Sequence, residues 1–156
     1  MRILVDGDGC PVVEIVEKIA EEYGIEFDIF TDLNHHIKVD YGKIFVVDQK
    51  YQSADMEIFN FCRENDIVVT GDYGLAAVVL GKGALVISFS GKIFSDNNID
   101  HLLMQRHQNF KWRRKTGRHN SHKKRTKADD LRFAEELKLL IEKNNLSNNN
   151  ENSRKI

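Results

Sequence analysis

The chain is poor in the residues that mark specialised folds. Cysteine occurs twice, as Cys10 and Cys62, at no spacing that suits a zinc site or a redox pair. Two such cysteines read as reduced thiols of a cytoplasmic protein, which excludes a secreted disulfide scaffold. Proline occurs once and tryptophan once, so no polyproline segment is present. No apolar run approaches the length of a membrane span. The start of the chain lacks the basic-then-apolar layout of a secretion signal. What remains is ordinary: hydrophobic residues make up 41% and charged residues 30% of the 156, too apolar for a disordered chain. That length predicts one domain plus an arm or tail, with a core large enough to fold without metal or disulfide.

The most informative absence is local. Residues 101–128 contain no aspartate or glutamate, and they carry 10 Lys+Arg. Residues 1–100 carry 18 acids against 8 bases. The net charge of −1 therefore conceals an acidic body joined to a basic segment. A body of this kind suits cations, and the segment suits polyanions. The alternative is a basic segment that solvates itself or folds back on the acidic body.

Strands and helices alternate along the chain. Strands are expected at 2–5, 27–30, 43–47, 67–70 and 85–87, rich in Ile, Val and Phe as buried parallel strands are. Apolar residues at helical spacing predict helices at 11–24, 53–64, 75–80 and 97–107. Pro11 suits a first helical turn, Gly24 a helix end and Ser53 an N-cap. Residues 106–127 show no apolar period and read as a basic arm. Residues 128–143 return to a helix, and the Asn-rich 144–156 reads as a disordered tail. The expected domain is residues 1–143, a three-layer α/β/α sandwich with a mostly parallel central sheet.

On such folds ligands bind outside the carboxyl ends of the strands. Asp6 and Asp8 follow the first strand, Asp72 follows the fourth, and Asp55 opens the helix after the third. Four carboxylates at one edge repel and need a positive partner. Oxygen-only ligands suit Mg²⁺ or Mn²⁺, which can polarise a phosphoryl oxygen and activate water for in-line attack. The competing reading is helix capping, by Asp8 for the first helix and by Asp72 for the third. Gly7 and Gly9 lack the third glycine of a dinucleotide fingerprint, and the P-loop and nucleophile-elbow patterns are absent. Asp6-x-Asp8 after a first strand also leaves open a haloacid-dehalogenase-type phosphatase. That class prefers Thr or Val where this chain has Cys10.

Val5-Asp6-Gly7-Asp8-Gly9-Cys10-Pro11-Val12 resembles the opening Val-Asp-Ala-Asp-Ala-Cys-Pro-Val of the YaiI/YqxD family, also called UPF0178 or DUF188. Asn34-His35, Ser53-Ala54-Asp55, Val69 to Ala76, Lys82-Gly83-Ala84, Asn98-Ile99 and Thr126-Lys127-Ala128-Asp129 continue the likeness over about residues 1–140. Asp130 departs from it, standing where the family commonly has Arg. The family is bacterial and similar in pattern to PIN-like nucleases, whose third acid sits in a Thr-x-Asp-x-x-Leu segment, here Thr70 to Leu75. The resemblance implies a PIN-like fold with Asp6, Asp55 and Asp72 as catalytic metal ligands and Asp8 beside them. It marks Asn34, His35 and Asp129 as accessory positions, and it implies RNA hydrolysis by a further step of analogy.

Within the basic segment, Arg113, Arg114, Lys115, Arg118, Lys123, Lys124, Arg125 and Lys127 are the expected contacts to nucleic acid, RNA above all. Phe110 and Trp112 either stack on unpaired bases or pin the segment to the body, and the single tryptophan is expected to pack. Of His35 and His36, one at most is expected to act. Cys10 is expected to be a small buried residue rather than a nucleophile. Two functions follow: a metal-dependent nuclease, or a non-catalytic nucleic-acid- or ribosome-associated protein.

Overall fold

The computed structural model describes residues 1–48, 53–117 and 123–154. The elements run β1 (Ile3–Asp6), α1 (Val13–Tyr23), β2 (Phe27–Asp32), β3 (Lys43–Val47), α2 (Ala54–Phe61), β4 (Ile67–Val69), α3 (Tyr73–Leu80), β5 (Leu85–Ile87), β6 (Ile93–Phe94), α4 (Asp96–Thr116) and α5 (Lys127–Arg154). They build a six-stranded sheet in the order β3-β2-β1-β4-β5-β6. Every pairing is parallel except β5 with β6. β6 is only two residues long, too short to leave an apolar period, so the sequence shows five strands where the described residues form six.

Strand alternation divides the core in two. Ile3 and Val5 of β1, with Ile67 and Val69 of β4, face α1 and α5 in one apolar layer that includes Phe133, Leu137 and Ile141. Leu4 and Val68 face the opposite way, onto α2, α3 and α4, through Ile58, Leu75, Val79 and Leu102. The sheet is thus covered on both faces, as parallel sheets require, and the three-layer arrangement is the expected one. The same alternation carries Asp6 and Thr70, the residues next in line, toward the layer of α2 and α3. β1 is flanked by β2 and β4, so chain connections leave it in opposite directions. Its carboxyl end is the topological switch point, where doubly wound sheets open a crevice.

The helices differ from the sequence reading most at the C-terminal end, and α1 opens at Val13 with Pro11 outside its first turn. α4 does not stop near His107 but continues through Thr116. Arg, Lys, Gln and Met are good helix formers, no Pro or Gly interrupts the segment, and Gly117 in the left-handed region ends it. The first half of the basic segment is therefore a helix, and its missing apolar period reflects exposure: from Met104 to Gly117 no residue is buried. α5 likewise runs through the Asn-rich segment to Arg154 rather than ending at 143. Asn144, expected to be disordered, is buried, and its amide donates to the Asn65 carbonyl at 3.1 Å. Trp112 is 46% exposed, so it does not pin the helix to the body as expected.

Candidate active site

The loop after β1 turns tightly between two acids. The Gly7 N–H donates to the Phe30 carbonyl at 2.8 Å, and a Cβ on Gly7 would lie 2.8 Å from the Ile29 side chain. Only glycine allows that approach without a shift. Asp6 is 8% exposed at the sheet edge. Its Oδ2 accepts from the Thr70 hydroxyl at 2.8 Å, and Thr70 Oγ1 in turn accepts from the Asp72 N–H at 3.0 Å. Thr70 thus ties the end of β1 to the turn after β4. It orients one acid by its hydroxyl and the next by its lone pair.

Asp72 serves α3 as N-cap. Its Oδ1 accepts from the N–H groups of Gly74 at 2.7 Å and Leu75 at 3.0 Å. The capping role expected of Asp72 is real, and it uses one carboxylate oxygen. Asp8 does not cap α1. The N-cap there is Val12, which offers no side-chain acceptor, because Pro11 precedes the helix in a turn. Asp8 Oδ1 accepts instead from the Thr31 hydroxyl and the Asp32 N–H, both at 3.0 Å. Asp55 lies in the first turn of α2, behind the Ser53 cap, whose Oγ accepts from the Met56 N–H.

The four acids share one electrostatic field. Burial above all, helped by the charges of Asp55 and Asp8, pushes the Asp6 carboxyl up to about 6, against a lowering by the Thr70 hydroxyl. Burial and then the charges of Asp72 and Asp8 raise Asp55. Asp8 thus acts on both Asp6 and Asp55, Asp55 on Asp6, and Asp72 on Asp55. No Lys or Arg is ion-paired with Asp6, Asp8 or Asp55 among the described residues. Among those residues, the arginine paired with an acid of this edge is Arg106 of α4. Its Nη1 is 3.9 Å from Asp72 Oδ1, and its guanidinium is 5.7 Å from the centre of the Tyr73 ring. Carboxylate oxygens are hard donors that suit a divalent cation, and Arg106 offsets only Asp72.

Among the described residues, no three of Asp6, Asp8, Asp55 and Asp72 bring ligand atoms within 4.8 Å of one another; the group that does is a different one. Asp8, Asp32 and His35 each offer an atom within 4.8 Å of the others. His35 Nδ1 lies 2.6 Å from Asp32 Oδ1 and 3.4 Å from Asp8 Oδ1. The hydrogen bond to Asp32 raises the imidazole and lowers Asp32. His35 was expected as an accessory; Asp32 was not singled out, although it ends β2 at the same edge as Asp6. Asn34 contributes a backbone N–H to Asp32 Oδ1 at 2.9 Å. Asp129 does not join the acids by any bond in the described residues. It accepts from the Thr126 N–H and hydroxyl at 2.8 and 2.9 Å, beside Arg132.

The basic residues separate into two groups. Arg113, Arg114 and Lys115 are exposed on the last turns of α4, while Lys123, Lys124 and Lys127 are exposed before and at the start of α5. Arg118 lies outside the described residues. Arg125 turns inward, donating to the Phe89 carbonyl and to Asp130 Oδ1, both at 2.6 Å. The acid at 130 thus has a partner at 125. Cys10 is half-buried, and its thiol is pushed up to about 12 by burial, which keeps it protonated and unreactive at neutral pH.

These features define a doubly wound α/β domain with aspartates near its switch point. The chain belongs to the YaiI/YqxD family, whose model, described as "Uncharacterized BCR, YaiI/YqxD family", matches residues 4–143. A UPF0178 protein of Clostridium kluyveri is 50% identical over 141 residues, covering 90% of this chain and 93% of the relative. UPF0178 proteins of Clostridium novyi and Clostridium perfringens are 48% and 46% identical over 143 residues, each covering 92% of this chain and 96% of the relative. Among solved structures, a variant of Rae1 (YacP) from Bacillus subtilis overlaps with a TM-score of 0.45 at 17% identity, over 56% of this chain and 70% of that one.

Proposed function

We propose that this protein is a divalent-metal-dependent, PIN-like nuclease that hydrolyses phosphodiesters, with RNA as its substrate. The observation that carries the reading is the group of four aspartates near the carboxyl edge of β1 and β4, where neighbouring acids raise Asp6 and Asp55 and, among the described residues, three of the four have no Lys or Arg ion pair. Asp6, Asp55 and Asp72 would hold Mg²⁺ or Mn²⁺, with Asp8 beside them. A cation there supplies a Lewis acid for the phosphoryl oxygens and lowers the cost of forming a hydroxide nucleophile. The chain's own residues do the rest. Thr70 fixes the Asp6 carboxylate and the backbone of Asp72 in one hydrogen-bonded unit. The exposed cations of α4 and of residues 123–127 attract the substrate backbone.

A second reading, a non-catalytic nucleic-acid- or ribosome-associated protein, draws on the structural duties of two of the acids. Asp72 caps α3, and Asp8 ties the β1 loop to β2. Both would persist in a protein that never held a metal. Incubation with mixed RNA and DNA in Mn²⁺, Mg²⁺ or EDTA, beside Asp6→Asn, separates the two. The nuclease reading predicts cleavage with metal and none in EDTA or with Asp6→Asn. Equal binding without cleavage in any condition favours the second.

A further inference from the structure

Beside the acidic edge lies a second feature that the acids do not explain. A cleft of 440 Å³ opens between the start of α3 and the outer turns of α4, with Tyr73, Gln105, Arg106, Asn109, Phe110 and Arg113 along it. Its size falls in the range of small-molecule sites. The spacing of Leu102, Gln105, Arg106, Asn109 and Arg113 puts them on one face of α4. Leu102 is buried and anchors that face to the body, while the turns beyond it project into solvent. Among the described residues no carboxylate lines the cleft. Phe110 is 57% exposed, and Tyr73 is held edge-on by Phe94 with ring centres 5.4 Å apart.

We propose that this cleft holds one unpaired nucleotide of a single-stranded nucleic acid, the base against Phe110 and the flanking phosphates at Arg106 and Arg113. Three observations carry it. Phe110 is more than half exposed at the mouth of a basic cleft, with the Arg114 guanidinium 5.8 Å from its ring centre, and a ring so placed matches the way unpaired bases are held, because every base has a stacking face. Gln105 and Asn109 each present a donor and an acceptor, the complement of a base edge. Arg106 closes the geometry. It lines the cleft and stands 3.9 Å from Asp72, so a phosphate at the acidic edge leaves its neighbouring nucleotide at the cleft. A paired base cannot turn its face to Phe110, which makes duplexes poor ligands. This rests on reading the acidic edge as a phosphodiester site.

The test is binding in EDTA, where hydrolysis cannot contribute, measured by fluorescence anisotropy with a labelled eight-nucleotide RNA strand. An abasic strand of equal length, the matching duplex and a poly-glutamate peptide are the comparison probes. The expected results are about 10-fold or greater weakening for Phe110→Ala on the intact strand, and little further loss on the abasic strand. Arg106→Gln with Arg113→Gln should weaken both strands alike and flatten the salt dependence. Unchanged affinity of Phe110→Ala for the intact strand, equal loss on the abasic strand, duplex binding as tight as single-strand binding, or competition by poly-glutamate at equal charge would each overturn the subsite. Cleavage assays with Mn²⁺ report separately. Expected binding with no cleavage removes the nuclease reading and leaves the subsite. Cleavage with Phe110→Ala binding as the parent does the reverse.

Discussion

Removing the charge at Asp6 should stabilise the protein when no metal is present. The carboxyl titrates at about 6 in the folded chain, against 3.8 ordinarily. A gap of about two pH units corresponds to ~3 kcal/mol of differential interaction, at 1.36 kcal/mol per unit. The sign follows from the proton count. Between about pH 4 and pH 6 the folded state binds more protons than the unfolded one, so stability falls as pH rises through that window and the penalty is complete above it. Asp6→Asn keeps an oxygen to accept from Thr70 and removes the charge. The new amide N–H group needs a partner, at a cost of about 1 kcal/mol, leaving a net gain of ~1–2 kcal/mol at pH 7. For a chain of this size that is roughly 2–8 °C in Tm. Thermal melts in EDTA at pH 5 and pH 7 read it directly: the variant should gain over the parent, and gain more at pH 7. A variant that melts below the parent at pH 7, or a difference independent of pH, would refute the account of Asp6 as a buried, repelled carboxylate.

Other outcomes follow from the same geometry. Thr70→Val removes the side-chain hydrogen bond that lowers Asp6, so the fall in stability with rising pH should extend to higher pH than in the parent, with a loss of ~1–2 kcal/mol by denaturant titration at pH 7. Asp72→Ala should cost about 1 kcal/mol through the lost α3 cap, whereas Asp72→Asn should keep that stability and lose nuclease activity. Neutralising Arg113, Arg114, Lys115, Lys123 and Lys124 together should weaken RNA binding sharply at low salt and reduce the log–log salt slope, by about 0.7 for each phosphate no longer neutralised. Asp66→Ala should be among the most destabilising substitutions, at roughly 3 kcal/mol, because Asp66 holds the Arg2 guanidinium at 2.6 Å and the Arg2 and Arg63 N–H groups.

Strands and acids were legible where one signal dominates. Ile67 to Val69 reads as a buried parallel strand because both its faces are covered, whereas Lys43 to Val47 has the same texture but is the edge strand, with Val46 56% exposed. The βα order alone put Asp6, Asp55 and Asp72 on one edge. Residue type did not say how Asp8 and Asp72 divide their oxygens. That depends on backbone geometry: Pro11 delays α1 and frees Asp8, while the turn at Gly71 leaves Asp72 at the first N–H groups of α3. The outer half of α4 was missed because a helix that buries nothing carries no apolar period. The absence of Pro and Gly between Asp96 and Thr116 was the signal available. Asp32 went unnoticed because its importance comes from the chain turning back on itself, which brings His35 onto it within three residues.

The central claim is that the acids at the switch point form one cation site. Calorimetric titration of the metal-free protein with Mn²⁺ tests it most directly, comparing the parent with Asp6→Asn, Asp55→Asn and His35→Ala. The account predicts that Asp6→Asn and Asp55→Asn abolish binding, and that His35→Ala leaves it within a few-fold of the parent. Binding that survives Asp6→Asn and Asp55→Asn but disappears with His35→Ala would contradict it, and would move the cation to Asp8, Asp32 and His35.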